Sequence, residues 1–458
     1  MEPAEIKIAY LGGGSRYWAR NLLGELALSP YLTGAIDLYD LDYAAAKKNV
    51  AIAGAIFSRP EACTRFRMRA VRFLKTALRD ADFVVLSIEP GPVEARYADL
   101  VIPAKHGIVQ PVGDTTGPGG LARALRVVPI YTEFAQAIAE HCPNAWVINY
   151  TNPMTLCTAA LYAAAPGIKA FGCCHEVFHT QKRLAELVAR WFGLPFAPTR
   201  EQIQLDLSGV NHFTWVTSAK WRQHHLLPGL RRHVSATDHF LPRTAEADAR
   251  KQTGQWFRSD GLVADDLFYR FGALAAAGDR HLAEFVPWYA TDEANLHRWG
   301  VVLTPYQWRL GRAALRNHRA SHYARLPLKP SNEEGVKIIE ALAGIASLDT
   351  NVNLPNTGQA PDLPLGHIVE TNARFRRDRV TPIRSSPLPP GARALVRRVI
   401  DVQQLTLRAA LERDVDLAFQ ALLADPLVRL PTDEAWRMFT GMLQYLKPHL
   451  PGWKFASK

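Results

Sequence analysis

Residues 6–29, IKIAYLGGGSRYWARNLLGELALS, constrain the fold more than any other stretch of the chain. Ile6 to Leu11 is short and mostly apolar, as a buried strand requires. Three glycines then break it, and Leu22, Leu23, Leu26 and Ala27 return at helical spacing. A strand that turns on glycines into an amphipathic helix begins a unit whose helix packs back on its own sheet. Further buried strands are readable at GAIDLYDLD (34–42), ADFVVLSI (81–88), AWVINYTNP (145–153) and IKAFGCCHEV (168–177), with helical stretches at 120–140 and 154–164. This alternation predicts an α/β fold built on a doubly wound parallel sheet.

At 458 residues the chain is longer than a single core normally grows. The character changes near residue 195: IQLDLSGVNHFTWVTSAKW is strand-like, 222–260 is basic, histidine-rich and turn-rich, and the chain is helical from Leu395 onward. The expectation is an N-terminal domain over 1–195 and a second, mixed α/β domain over 196–458 that ends in a helical layer.

In GGGSRY, Gly12 and Gly14 permit a tight turn and a close backbone approach, and the helix amides from Ser15 onward face whatever sits at the helix N-terminus. A pyrophosphate fits such a place, although Tyr17 occupies the third small position of the usual fingerprint and an ordinary strand-to-helix turn reads the same way. Asp40 adds weight. It ends the second strand 26 residues beyond Gly14, where a carboxylate holds two ribose hydroxyls and repels a 2′-phosphate, which favours NAD over NADP.

The net charge of +11 suits any anionic partner, but the arginines are scattered from Arg16 to Arg437 and form no nucleic-acid module, so no nucleic-acid partner is expected. No apolar run approaches the ~18 residues of a membrane span, and MEPAEIKIAY lacks the basic-then-apolar order of a signal peptide. Five cysteines, two of them adjacent, do not make a disulfide framework. These features predict a cytoplasmic protein with no membrane partner.

GCCHEV (172–177) lies at the carboxyl end of a predicted parallel strand, where such folds bind ligands, and TNP (151–153) lies at another. For Cys174 the readings are a core cysteine, a thiol nucleophile and a metal ligand. His212, on a turn-like VNH, makes the third more attractive, because imidazole and thiolate together suit a borderline divalent ion. Two protein ligands are too few for structural zinc and leave positions for water and substrate, so a metal held this way would be catalytic. In AAAGDRHLAEF (275–285), Asp279, Arg280 and His281 follow a small-residue run and by themselves read as a charged surface turn.

Taken in order, IAYLGGGSRYWARNLL, IDLYDLD, VGDTTGPGG, WVINYTNPM, GCCHEV, GVNHFTW, GDRHLAEF and NVNLPNTGQ resemble the NAD- and Mn²⁺-dependent family 4 glycoside hydrolases from end to end. CHEV and GDRHLAEF are most similar to the α-galacturonidase branch of that family. The resemblance implies a Rossmann-like N-terminal domain in a lactate/malate dehydrogenase-like architecture. It implies NAD at Gly12, Gly14, Ser15 and Asp40, and Mn²⁺ or another divalent metal at Cys174 and His212. Substrate would meet Asn152 and Asp114, Asp279 would be the catalytic base, and His175 the proton donor, at a position where relatives carry an acidic residue. Cys173 remains a packing residue and Glu176 a marker of the branch.

The implied reaction avoids the carboxylate pair of most glycosidases. NAD⁺ takes hydride from C3, the metal polarises the ketone so that the C2 proton can leave, elimination expels the aglycone, water adds, and the hydride returns. A uronate also needs a cation, with Arg280 first, then Arg123 and Arg126. The expected partner is therefore a small uronic acid glycoside, acted on by a homodimer or homotetramer. Another family 4 α-glycosidase, a simple NAD-dependent dehydrogenase and a catalytically silent NAD-sensing regulator are the alternatives.

Overall fold

The computed structural model describes residues 2–15, 18–235, 239–315, 327–330 and 333–454; Arg16 and Tyr17 lie outside the described residues. The first half forms β1 (Ala4–Leu11), β2 (Leu32–Tyr39), β3 (Phe66–Val71), β4 (Phe83–Leu86), β5 (Trp146–Asn149) and β6 (Lys169–Gly172). All neighbouring pairs among them are parallel, in the order β3-β2-β1-β4-β5-β6. This order reverses between β1 and β4, so the crevice outside their carboxyl ends is the natural ligand position. Along β1, Ile8 and Tyr10 face one core with the helix Trp18–Leu28, while Ala9 and Leu11 face the other with the helix Gly117–His141. Burial on both faces is why β1, β4, β5 and β6 were readable as apolar runs. β3 escaped that reading because it is the sheet edge, where exposed and buried residues alternate as FRMRAV.

The strand-like stretch after residue 195 is a hairpin, β7 (Ile203–Val210) and β8 (Phe213–Trp221), turning on Asn211 and His212. Two short strands, β9 (His224–His225) and β10 (Leu274–Ala275), pair with β8. The turn-rich segment 222–260 contains the helices Leu227–Val234 and Thr244–Thr253.

The division expected at residue 195 does not hold for the sheet. β11 (Leu348–Pro355), β12 (Ile368–Arg376) and β13 (Arg379–Pro382) return from the second half and extend it antiparallel, β11 meeting β6 at Asn353 and Gly172. The reason is that β6 would otherwise present an open edge of unpaired amides and carbonyls. The helices Pro390–Glu412 and Thr432–Leu446 bury Val396, Ile400, Met438 and Met442 in the same core as Leu121 and Leu125 of the helix 117–141. The C-terminal helices thus form a further layer outside the helices 117–141 and 154–164 that cover this face of the sheet.

Candidate active site

At the end of β1 the chain turns on Gly12, whose φ is +94°; a Cβ there would lie 2.0 Å from the Ser87 carbonyl oxygen beyond β4. Only glycine fits, because the turn is pressed against the neighbouring strand end. The Ser15 hydroxyl accepts from the Trp18 amide at 3.2 Å and starts the helix. Asp40 accepts from the Gly14 amide at 2.8 Å through one carboxylate oxygen and from the Asp42 amide at 2.9 Å through the other. A carboxylate has about four acceptor positions, so Asp40 keeps capacity for two hydroxyls. Asn49, which the sequence reading missed, donates to the Gly13 and Ser15 carbonyls at 2.7 and 2.8 Å and fixes the turn. These residues fit the ribose and pyrophosphate of a dinucleotide.

A cavity of about 900 Å³ lies beside this end of the sheet, walled by His175, Glu176, Gly278, Arg280, His281 and Arg309 among others. Next to it, donor atoms of Asp114, His212 and His281 all come within 4.8 Å of one another. The three come from a loop, a hairpin turn and the first turn of the helix Asp279–Phe285. His212 is held at φ +64°, a conformation uncommon for a side-chain-bearing residue and associated with functional turns.

A chain of hydrogen bonds orients the group. The Thr115 hydroxyl donates to Asp114 at 2.7 Å and contacts His212 Nδ1 at 2.8 Å, so Nδ1 carries the proton and Nε2 keeps its lone pair. Burial, reinforced by the adjacent His281 ring, pushes His212 down to about 3 and keeps it neutral. The His281 ring lies 3.8 Å from that of His212, and its buried Nδ1 has no hydrogen-bond partner. A carboxylate, an oriented imidazole and a second imidazole with an unused nitrogen suit a divalent metal ion. Asn152 joins this group, donating to Asp114 at 3.3 Å with its own Oδ1 buried and unpartnered.

Of the expected ligand pair, His212 is in this group. The buried Cys174 thiol is pushed well above its ordinary pKa, first by burial and then by Glu370 and Glu176. A neutral thiol among carboxylates is a poor ligand until a metal displaces its proton. Cys173 packs against the core of the sheet's other face.

Asp279 is not among the residues that line the cavity. Its side chain is fully buried and accepts from the Leu262 and Ala264 amides at 2.9 and 3.1 Å, capping the helix Leu262–Phe271. Burial raises it to about 6, but its neighbours Ala277, Gly278, Arg280 and His281 form the cavity wall instead. Arg123 and Arg126 are likewise committed: Arg123 pairs with Glu89 and donates to the Asn152 carbonyl at 2.8 Å, and Arg126 pairs with Asp99 through two bonds of 2.8 Å.

Two acidic residues gain roles that the sequence reading did not assign. Glu176 accepts from the Gly278 amide at 2.7 Å, and the HEVFH spacing brings its carboxylate within 4.8 Å of ring nitrogens of His175 and His179. That spacing was the available signal. His175 Nδ1 lies 3.0 Å from Glu333; burial lowers the His175 pKa, but this bond and charge outweigh it and the net shift is upward. Glu284, buried behind Asp114, accepts from the Gly113 amide at 3.0 Å and so holds the loop that carries Asp114.

The fold and site define a protein with a dinucleotide-binding turn and a candidate metal centre at the edge of one cavity. The family 4 glycosyl hydrolase model matches residues 7–190 and that family's C-terminal domain model matches residues 207–428, so the chain belongs to family 4 of the glycosyl hydrolases. It is 44% identical to an α-galacturonidase of Thermoanaerobacterium saccharolyticum, over 99% of this chain and 98% of the relative. The crystal structure of LplD from Bacillus subtilis superposes with a TM-score of 0.89 at 45% identity, covering 96% of this chain and 100% of that one. A 6-phospho-α-glucosidase from gut microorganisms, solved with NAD and Mn²⁺, has a TM-score of 0.78 over 98% and 100% of the two chains; at 19% identity the likeness is one of fold.

Proposed function

We propose that the protein hydrolyses α-galacturonides with NAD and a divalent metal, Mn²⁺ or another. The observation that carries this reading is the 44% identity to an α-galacturonidase along nearly the whole of both chains. When bound, the two cofactors supply reversible hydride transfer at C3 and Lewis-acid polarisation of the resulting ketone.

The chain's own residues do the rest. Gly12, Gly14, Ser15 and Asp40 hold the dinucleotide at the switch point, while Asp114, His212 and His281 hold the metal, with Thr115 and Glu284 fixing the first two. Asn152 offers its unpartnered Oδ1 to a sugar hydroxyl. Glu176, a carboxylate of the cavity wall, takes the C2 proton. His175, kept protonated by Glu333, donates to the leaving oxygen. Asp279 supports this wall from behind as a helix cap.

A cytoplasmic homodimer or homotetramer acting on small glycosides belongs to the same reading; among the described residues no helix is long and apolar enough to cross a membrane. The test is a panel of p-nitrophenyl α-glycosides, including galacturonide, glucuronide, glucoside and galactoside, with NAD⁺, Mn²⁺ and a reductant. Preference for the galacturonide supports the reading, and activity confined to a neutral glycoside overturns it.

A further inference from the structure

Arg280 was the first candidate for the substrate's carboxylate, and its hydrogen bonds show how little of it is free. One terminal nitrogen donates to the Trp256 carbonyl, and the other donates to the Pro111 carbonyl and to the Thr304 hydroxyl, the last at 2.9 Å. Arg309, in the helix Tyr306–Leu315, also lines the cavity and donates to the same Pro111 carbonyl at 2.9 Å. Its Nε is buried and has no partner.

Two other cations of this wall have carboxylates beside them. Arg183 pairs with Asp265, and Arg258 lies 3.8 Å from Asp260. Among the described residues neither Arg280 nor Arg309 has a carboxylate within 4 Å. Glu284 is committed to the Val112 and Gly113 amides. Two guanidinium groups thus converge on one neutral carbonyl oxygen at the edge of a cavity, a like-charge arrangement that an anion would relieve. Pro111 stands three residues before Asp114, so an anion held here is tied to the loop that enters the metal group.

We infer that Arg309, a cavity-lining residue whose Nε has no partner, is the specificity residue that receives the sugar's carboxylate, while Arg280 braces the Pro111 loop beside it. This rests on the uronide reading above. A guanidinium offers Nε and one Nη in parallel to the two oxygens of a carboxylate, and a neutral hydroxymethyl group has nothing to match both.

The test compares the holoenzyme with Arg309→Ala and Arg309→Lys, using p-nitrophenyl α-galacturonide and α-galactoside, with NAD⁺ affinity as the control for folding. The expected result is a loss of about 100-fold in kcat/KM on the galacturonide for Arg309→Ala, carried mainly by KM. The galactoside rate and NAD⁺ affinity should stay within a few-fold, and Arg309→Lys should recover part of the loss. A variant that keeps the wild-type preference for galacturonide, or loses both substrates equally with NAD⁺ affinity intact, overturns the inference alone. A wild-type enzyme that cuts only neutral glycosides overturns the function and the inference together.

Discussion

His281 is the residue on which the metal assignment turns. It faces His212 ring to ring and has a buried nitrogen with no partner. His281→Ala should therefore weaken Mn²⁺ binding beyond the roughly 10–100-fold expected for loss of an outer-shell partner, with secondary structure retained. Mn²⁺ titration read by paramagnetic resonance measures it; full affinity in His281→Ala with loss in Cys174→Ser would restore the cysteine. His175 allows a second test. Its proton is needed for leaving-group departure, and Glu333 raises its pKa against the effect of burial, so kcat should fall as pH rises through that raised value. Glu333→Gln removes the raising charge, and the alkaline limb of the kcat profile should move to lower pH; an unmoved limb would take the donor role from His175. At this scale the sequence was most legible where local order carries the meaning, as at Gly12, Gly14 and Asp40. Asp114, His212 and His281 come from three distant segments, and Arg309 from a fourth, so nothing local marked His281 or Arg309 as anything but surface residues. The capping bonds of Asp279 were hidden for a related reason, since a carboxylate that caps a helix and one that faces a cavity look alike in sequence.

Among the elements, the strands buried on both faces were visible as apolar runs. The antiparallel strands β11–β13 were not, because the buried positions of TNVNLP and IVETN are partly polar: Asn351 donates to Glu370 at 2.8 Å and the Thr214 hydroxyl donates to it at 2.6 Å. A buried strand that satisfies polar groups across itself loses the hydrophobic signature on which strand recognition depends. These strands are nonetheless part of the N-terminal core. Phe375 of β12 is fully buried, with its ring edge-on to Phe171 of β6 at 5.2 Å. Phe375→Ala should cost about 3–5 kcal/mol, read by denaturant or thermal unfolding followed at both halves of the chain. A loss confined to the C-terminal half, with the parallel sheet unaffected, would restore an independent domain ending at residue 195.

For the whole molecule, one sheet positions both cofactor regions: the glycine turn of β1, TNP after β5 and GCCHEV after β6 open at the same carboxyl edge, and the β7–β8 turn and the helix from Asp279 close over it. Hydride transfer and elimination can share a sugar only under such convergence, which also explains why a fold organised like a dehydrogenase can finish with its cofactor unchanged. Stoichiometry is the direct test of that claim. With p-nitrophenyl α-galacturonide, NAD⁺ and Mn²⁺, p-nitrophenol release and absorbance at the nicotinamide band are followed together. Many equivalents of p-nitrophenol per enzyme with no accumulating NADH is the predicted result, and NADH rising in step with product would contradict the account.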